Sequence, residues 1–401
     1  ITVAVVSGMV PGIAYLNGYF AIMDFNGAIY NSALEDPTTW PALGITYAQN
    51  EAGAGVAIAK LGTYIVAFKE WTTEYFYDGK NAVGSPFSPV ESGYSQIGCA
   101  SGTSVVNIKD SLIFMSQTRS QGRGVYIMAG LNQKKISTEA VDRILNKDSL
   151  ATVYSFGLTL DGHSIYLFTL KTSNITLAYD LTSGKWGQWT SLTLSTGQAN
   201  TLSRVGTLAT SIAALSYLAD GDPQIISSTE QIYSRIFQCF YVAGSSTFSF
   251  TVLGSPSTPV SCSVYGYTES YFKFIKHINF DGNNLLLHET DGHLYSIQST
   301  LYQDAGIPIN VFIRSRRLDG GNLEPKTMGE FKIVGDKTLD TMMVRWSSDD
   351  CHTFSAYREV NLNYPVPMLR QCGSFERRTV ETRYVGNYPL CLEALELDIG
   401  T

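Results

Sequence analysis

The chain has few charged residues and no long apolar run, and these shortages exclude some classes of protein. Of its 401 residues, only 16% are Asp, Glu, Lys or Arg. No segment approaches the ~18 consecutive apolar residues of a membrane-spanning helix. The net charge is −7, whereas nonspecific DNA binding needs a surplus of Lys and Arg to displace counterions. We therefore expect no membrane segment and no nonspecific affinity for nucleic acid.

Cysteine is also scarce, and its spacing gives no zinc framework. The six cysteines contain no Cys-x-x-Cys pair, and the sequence has no Gly-x-Ser-x-Gly elbow of a serine hydrolase. Free thiols in a reducing cytoplasm are the default expectation, and a disulfide among the later cysteines stays open. Paired carboxylates of a glycosidase converge only in space, so the sequence leaves them open as well.

Glycine and aromatic residues are abundant, which is typical of many short strands joined by tight turns. A strand, a turn and a second strand recur at intervals of about 45 to 50 residues, the length of a four-stranded propeller blade. Three such units are Ile13–Ile22, Ile58–Ala67 and Val106–Phe114, and a fourth runs from Phe156 to Trp189. A later pair of strands, Asn284–Tyr295, surrounds an Asp-Gly turn.

These patterns predict an all-β fold with a β-propeller-like body of four-stranded blades and long loop insertions. We assign residues 1–307 to the propeller body, with an inserted segment around 195–275 where the periodicity is poor, and residues 308–401 to a C-terminal β-strand module. One helix is expected to begin at Ser137–Glu139, because Val141, Ile144 and Leu145 share a face at helical spacing.

The C-terminal module contains a hairpin that resembles an Asp-box. A Ser/Thr, an Asp and an aromatic residue occur at its characteristic offsets, although Cys351 stands where a Gly is usual. Hydroxyl and carboxylate groups hydrogen-bond across such a turn, and the flanking aromatic residues bury against the sheet. The pattern predicts a structural hairpin built from Trp346, Ser347, Asp349, Thr353 and Phe354.

Two clusters of arginines are candidate contacts for phosphate or for an acidic partner, since guanidinium groups bind both. The first contains Arg119 and Arg123, and the second contains Arg314, Arg316 and Arg317. Solvated loop charges or interface contacts are the simpler interpretation.

Three weaker motifs have simpler explanations than ligand binding. Gly53-Ala-Gly55 lacks the third glycine and the helix of a dinucleotide loop. Asp281 opens a segment like a calcium loop, but position twelve is Gly292 where a Glu is required, so a β-turn is favoured. His288 and His293 flank a turn without a third metal ligand nearby. We therefore expect no metal and no cofactor.

Several segments carry a family signature when they are taken in chain order. The main ones are Ser32–Trp40, Trp71–Tyr77, Ala178–Trp186, Tyr302–Pro308 and the hairpin at Trp346–Phe354. In this succession the chain resembles the packaged-DNA stabilisation protein family of short-tailed bacteriophages, the tail hub or nozzle. The resemblance covers most of the chain and is weakest from about 195 to 275.

The resemblance implies a structural virion protein and not an enzyme. Copies would form a sixfold ring below the portal–adaptor complex, extend the DNA channel and retain the packaged genome until ejection. It implies partners among adaptor or portal proteins and tail fibres or spikes, with double-stranded DNA passing without sequence-specific binding. The place of action would be the virion tail, after assembly in the host cytoplasm. The alternative is a glycan-binding or glycan-cleaving propeller of the phage tail, suggested by the Asp-box and the tyrosine-rich strands.

Overall fold

The computed structural model describes residues 8–196, 260–298, 300–304, 307–322, 324–386 and 388–400, with the backbone of five short strands between 200 and 251. Side chains from 192 to 269 lie outside the described residues, and so does most of the predicted insertion. The chain divides into a first unit, residues 1–190 with 270–297, and a second unit, residues 191–269 with 298–401. The sequence-based boundary between 307 and 308 stays a prediction.

The first unit opens with four sheets whose strands are antiparallel and mostly neighbours in chain order. Sheet 1 comprises β1 (Ala14–Leu16), β2 (Tyr19–Met23), β3 (Ala28–Asn31) and β4 (Ile45–Tyr47). Sheet 2 comprises β5 (Gly55–Leu61), β6 (Tyr64–Lys69), β7 (Thr73–Asp78) and β8 (Phe87–Ser95). Sheet 3 comprises β9 (Gly98–Cys99), β10 (Val106–Ile108), β11 (Ser111–Thr118), β12 (Gly122–Ala129) and β13 (Asn132–Lys135), with a 3-10 turn at Gly102–Ser104. The strands β14 (Val153–Leu160), β15 (His163–Leu170), β16 (Ile175–Asp180) and β17 (Lys185–Thr196) are four consecutive strands of a ten-stranded sheet, and we call these four sheet 4.

The predicted helix is confirmed as α1 (Glu139–Lys147), which separates sheets 3 and 4 in the sequence. The Thr138 hydroxyl accepts a hydrogen bond from the Val141 N–H at 3.5 Å, so Thr138 serves as the N-cap. Val141 and Leu145 are buried, as their spacing of four residues requires for one helix face. Within the described residues, no helix has the length and apolar character needed to cross a membrane.

Six further strands follow, for which only the backbone is described up to residue 269. They are β18 (Asn200–Leu202), β19 (Val205–Ala209), β20 (Gln224–Ser228), β21 (Ile236–Tyr241), β22 (Thr247–Thr251) and β23 (Val260–Tyr271). The first unit then resumes with sheet 5, formed by β24 (Phe274–Phe280), β25 (Asn283–His288) and β26 (Leu294–Ile297).

Successive sheets of the first unit stack face to face, and this stacking explains the apolar runs in their middle strands. In β6, Ile65 and Ala67 face the core shared with sheet 1, while Val66 and Phe68 face the core shared with sheet 3. Similar cores join sheets 3 and 4 and sheets 4 and 5. A strand buried on both faces cannot show the polar alternation of a half-exposed strand.

Tight turns set the register of several first hairpins in these sheets. Asn17–Gly18, Asp161–Gly162 and Asp281–Gly282 are two-residue loops with both residues in the left-handed region. This is the geometry of a type I′ turn, which matches the twist of the flanking strands. The segment at Asp281 is therefore a β-turn, as the sequence favoured.

The C-terminal part of the second unit has two antiparallel sheets around one apolar core. The first sheet has the order β27 (Gln303–Asp304), β28 (Ile307–Arg314), β34 (Thr379–Gly386), β30 (Thr341–Ser347) and β31 (Arg358–Asn361). The second sheet centres on β29 (Lys326–Gly335), which pairs with β32 (Met368–Arg370), β33 (Ser374–Phe375) and β35 (Leu392–Gly400). The predicted all-β class is confirmed.

Candidate functional site

The Asp-box-like hairpin follows β30 directly and is organised by the Ser347 hydroxyl. This hydroxyl donates to the Asp349 carboxylate at 2.7 Å and accepts from the Cys351 N–H at 2.9 Å. The chain reverses through Asp350 and Cys351, which both have left-handed φ angles, 58° and 67°. A glycine meets no steric penalty at such an angle, whereas Cys351 does.

Asp349 holds the far side of the same loop. Its carboxylate accepts hydrogen bonds from the Thr353 N–H at 2.8 Å and from the Thr353 hydroxyl at 2.6 Å. These bonds, together with the one from Ser347, hold the pKa of Asp349 well below its usual range. The carboxylate is therefore ionised at neutral pH and occupied within its own turn.

The two aromatic residues of the hairpin lie on different faces of the sheet. Trp346 packs on the apolar core, and its backbone exchanges hydrogen bonds with Ser355 across the turn. Phe354 lies against the opposite face, where the Arg345 guanidinium stands 4.3 Å from its ring centroid. Both rings are half-buried, so they anchor the hairpin without being fully enclosed.

That opposite face is centred on Glu381, whose side chain is 0% exposed. Arg345 donates to one carboxylate oxygen at 2.6 and 2.7 Å, and the Tyr357 hydroxyl donates to the same oxygen at 2.9 Å. Arg314 donates to the other oxygen at 2.8 and 3.2 Å. We call these four residues the Glu381 cluster.

Strand register brings the Glu381 cluster together. Glu381 lies on β34, directly opposite Arg314 on β28 and Arg345 on β30. Burial alone would raise the pKa of Glu381, but the hydrogen bonds and charges of the arginines and Tyr357 lower it below its usual value. The result is a buried carboxylate that remains charged because its partners are fixed.

Aromatic rings extend the cluster into a ladder in which guanidinium groups and rings alternate, with 4.3 to 5.8 Å between each guanidinium and the ring centroid. Each contact adds the attraction of a cation for an aromatic face. In order, the ladder contains Tyr357, Arg345, Phe354, Arg314, Phe312 and Arg383.

Of the other two candidate arginines in this region, Arg317 contacts the hairpin and Arg316 is exposed to solvent. Arg317 lies 3.3 Å from Asp319 and 3.9 Å from Asp350, so it bridges to the tip of the hairpin. Arg377 reaches the same Asp350 carboxylate at 3.1 Å. Arg316 is exposed, and no ion pair of its guanidinium is found within the described part of the chain.

Arg119 and Arg123 lie in the first unit and serve separate roles. Arg119 pairs with Glu51 at 2.7 Å and stands over the Trp71 ring, but it is largely exposed. Arg123 donates to the carbonyl oxygens of Leu145 and Asp148 at 3.1 and 2.7 Å. Arg123 thus satisfies backbone acceptors at the C-terminal end of α1.

The weaker motifs do not assemble a ligand site. Gly55 begins β5, with no helix after it. The His288 and His293 side chains both lie near the Asp291 carboxylate, at 3.1 and 3.5 Å. Across the described residues, no group of three His, Cys, Asp or Glu side chains could hold a metal ion.

Sequence reasoning missed the centre of the Glu381 cluster and one buried arginine. The alternation in Thr379–Gly386 places Glu381 and Arg383 on one face and Val380 and Tyr384 on the other, which was a usable signal. Arg378 is buried and donates to the Cys372 and Ser374 carbonyl oxygens at 2.6 and 3.0 Å. No local pattern marks it, since its acceptors are backbone atoms.

Comparisons with known proteins give one family and several distant structures. A family model described as "Bacteriophage P22 Gp10, beta-propeller" matches residues 5–208. BamB from Moraxella catarrhalis is 10% identical, with 72% of this chain and 84% of that chain covered and a TM-score of 0.29. The calcium-binding protein regucalcin from Agrobacterium tumefaciens is 10% identical, with 73% of this chain and 93% of that chain covered and a TM-score of 0.28. Sqt1 from Saccharomyces cerevisiae is 9% identical, with 74% of this chain and 77% of that chain covered and a TM-score of 0.31.

No curated protein matches the chain. The TM-scores of the solved structures are too low for them to support any functional argument.

Proposed function

Because the chain belongs to the bacteriophage P22 Gp10 β-propeller family of phage DNA-stabilisation proteins, we propose that it is a tail nozzle. In this proposal, six copies form a ring below the portal–adaptor complex and extend the DNA channel. The ring retains the packaged genome until ejection. Its partners are adaptor or portal proteins and tail fibres or spikes, and the chain joins the virion tail during assembly in the host cytoplasm.

The observation that carries the proposal is the family match over residues 5–208, the part that contains the four stacked sheets. Stacked sheets share apolar cores, so a load applied to one sheet is transmitted to the next. Such a body suits a protein that must hold against the pressure of a packaged genome.

Charge supports the same role. The net charge of −7 gives a ring of six copies a strongly acidic total, which repels DNA phosphates instead of binding them. Tight binding to the channel wall would stall ejection. We expect the loops that face the channel to be acidic or neutral in sum, and a continuous lining of Lys and Arg would contradict this expectation.

The candidate site also favours a structural role over catalysis. Its carboxylates, Asp349 and Glu381, accept hydrogen bonds from neighbours within the same unit. A general acid or base needs a proton within its reach in the substrate complex. We therefore propose that the protein is not an enzyme.

Electron cryo-microscopy of the tail of the particle that carries this chain, without imposed symmetry, tests the proposal. We expect a sixfold ring between the adaptor and the tail tip. Density as a peripheral trimer, or no density in the particle, would refute the nozzle and leave the glycan-directed alternative to be assayed.

A second test addresses assembly. We expect the purified chain to form rings only on an adaptor template. Mass photometry of the chain alone and with adaptor rings measures this directly. A stable hexamer of the chain alone would contradict the expected dependence on the template.

A further inference from the structure

A cavity of about 390 Å³ opens in the first unit, where the first strands of several sheets approach one another. Its wall includes Ile13 beside β1, Lys60 on β5, Asn107 on β10 and Lys276 on β24. The volume lies within the range of small-molecule pockets, about 300–1,000 Å³, and is far too small for a DNA duplex or a folded domain. The cavity belongs to the first unit, whereas the Glu381 cluster and the hairpin belong to the second.

Close backbone packing forms part of the cavity wall. A Cβ atom added to Gly12 would lie 2.0 Å from the Ile58 carbonyl oxygen, and one added to Gly102 would lie 2.3 Å from the Val56 carbonyl oxygen. The Ile58 N–H donates to the Pro11 carbonyl at 3.1 Å and fixes the same approach. Backbone atoms held in this way do not depend on side-chain rotamers, so this part of the cavity is preformed.

The charge of the wall is entirely positive. Lys60 and Lys276 are the charged residues of the lining, which contains no carboxylate. Both side chains are exposed, and neither ammonium forms an ion pair with any carboxylate that the structure describes. This runs against the acidic balance of the whole chain, −7. Two ammonium groups on one concave wall raise the local positive potential and attract a small anion.

We propose that this cavity binds a small oxyanion of phosphate chemistry through Lys60 and Lys276. Lysine binds phosphate as a point charge, and its three N–H donors adapt to oxygen atoms at different positions. The phosphate can come from inorganic phosphate or from the terminal phosphate of a nucleic acid strand. The inference rests on the cavity alone and does not require the nozzle assignment.

The test measures phosphate binding to the full chain by ³¹P nuclear magnetic resonance, in chloride buffer of constant ionic strength. Inorganic phosphate should broaden and shift on addition of the protein. The double variant Lys60→Met/Lys276→Met keeps most of the aliphatic stem of each side chain but removes the charge, and it should weaken binding at least tenfold. Lys134→Met, at an exposed lysine on β13, is the matched control and should bind as the unaltered chain does.

A second probe separates the two sources of phosphate. Short oligothymidylates with and without a 5′ phosphate are compared by the same measurement, and preference for the phosphorylated strand over inorganic phosphate identifies a nucleic acid end. Circular dichroism confirms that the double variant is folded. The proposal is overturned if neither probe binds, if the double variant binds as well as the unaltered chain, or if Lys134→Met loses as much affinity.

Discussion

Glu381→Gln should destabilise the second unit more than other single changes at its charged face. The substitution keeps the size of the side chain but removes the negative charge between Arg314 and Arg345. It also places an amide N–H₂ among groups that are themselves donors, including the Tyr357 hydroxyl. At least one buried donor is then left without an acceptor.

The size of the destabilisation depends on which of the two arginines can reach water once Glu381 is replaced. The Arg314 side chain is 44% exposed and can turn outward, whereas that of Arg345 is 14% exposed and stays partly desolvated. Removing one member of a buried pair costs about 3–5 kcal/mol. Since only Arg345 is trapped, we expect the lower end, about 3 kcal/mol. At roughly 1.4 kcal/mol for each factor of ten, this is about a hundredfold in the opening equilibrium.

Hydrogen exchange measured by mass spectrometry is the suitable assay, because two compact units need not unfold in one step. Amides of β30 and β34 should exchange roughly a hundred times faster in Glu381→Gln, while peptides of the first unit should not change. Arg314→Gln is the matched control, because Glu381 then keeps its hydrogen bonds from Arg345 and Tyr357 and no charged group is trapped without a partner; we expect a smaller loss, about 1.5 kcal/mol.

Two outcomes would refute this reasoning. The first is an equally small effect of Glu381→Gln and Arg314→Gln on the exchange of β34, which would mean that Glu381 is not the buried centre of the cluster. The second is a double variant Glu381→Leu/Arg345→Leu that is destabilised more than Glu381→Leu alone, because removing Arg345 as well avoids leaving its guanidinium buried without Glu381.

The pKa of Glu381 is lower in the folded state, so its stabilising effect is present above the unfolded pKa, about 4.3, and is lost as pH falls through the folded pKa. The urea concentration at the unfolding midpoint of the second unit should therefore decrease as the pH is lowered below about 4.3. The decrease should be smaller in Glu381→Gln. Cys351→Gly should stabilise the hairpin by about 0.5–1 kcal/mol by relieving the left-handed φ, whereas Cys351→Ala should not, as thermal unfolding can show. Glu289→Gln should speed hydrogen exchange in β25, because Glu289 accepts from Lys171 and, at 2.6 Å, from the Tyr271 hydroxyl; unchanged exchange would contradict this.

Many strands and the helix of the first unit could be predicted from the sequence, because the contacts that form them are local in the chain. The predicted strand–turn–strand units Ile13–Ile22, Ile58–Ala67 and Val106–Phe114 are the hairpins β1–β2, β5–β6 and β10–β11. The helix was predictable for the same reason, since Thr138 and the apolar spacing lie within one segment. The family resemblance is confirmed by the match over residues 5–208.

The candidate site was less predictable because its partners are distant in sequence. Arg314, Arg345 and Glu381 meet only because β34 enters between β28 and β30, an order that no local pattern contains. Arg123 shows the same limit. Its position in a basic cluster suggested a phosphate contact, yet its acceptors are two carbonyl oxygens at the end of α1. A guanidinium group donates to phosphates and to backbone carbonyl oxygens alike, so sequence alone does not choose between them.

The Glu381 cluster also explains how β34 keeps its register. A shift of one residue would turn Glu381 and Arg383 into the apolar core and bring Val380 and Tyr384 to the charged face. A carboxylate turned into that core would lose its hydrogen bonds from Arg314, Arg345 and Tyr357, and burying a charge without such partners costs several kcal/mol. The cluster therefore penalises the wrong pairing more strongly than it stabilises the correct one. The charged face therefore helps to determine the register of β34, next to a hairpin whose own hydrogen bonds fix only the turn.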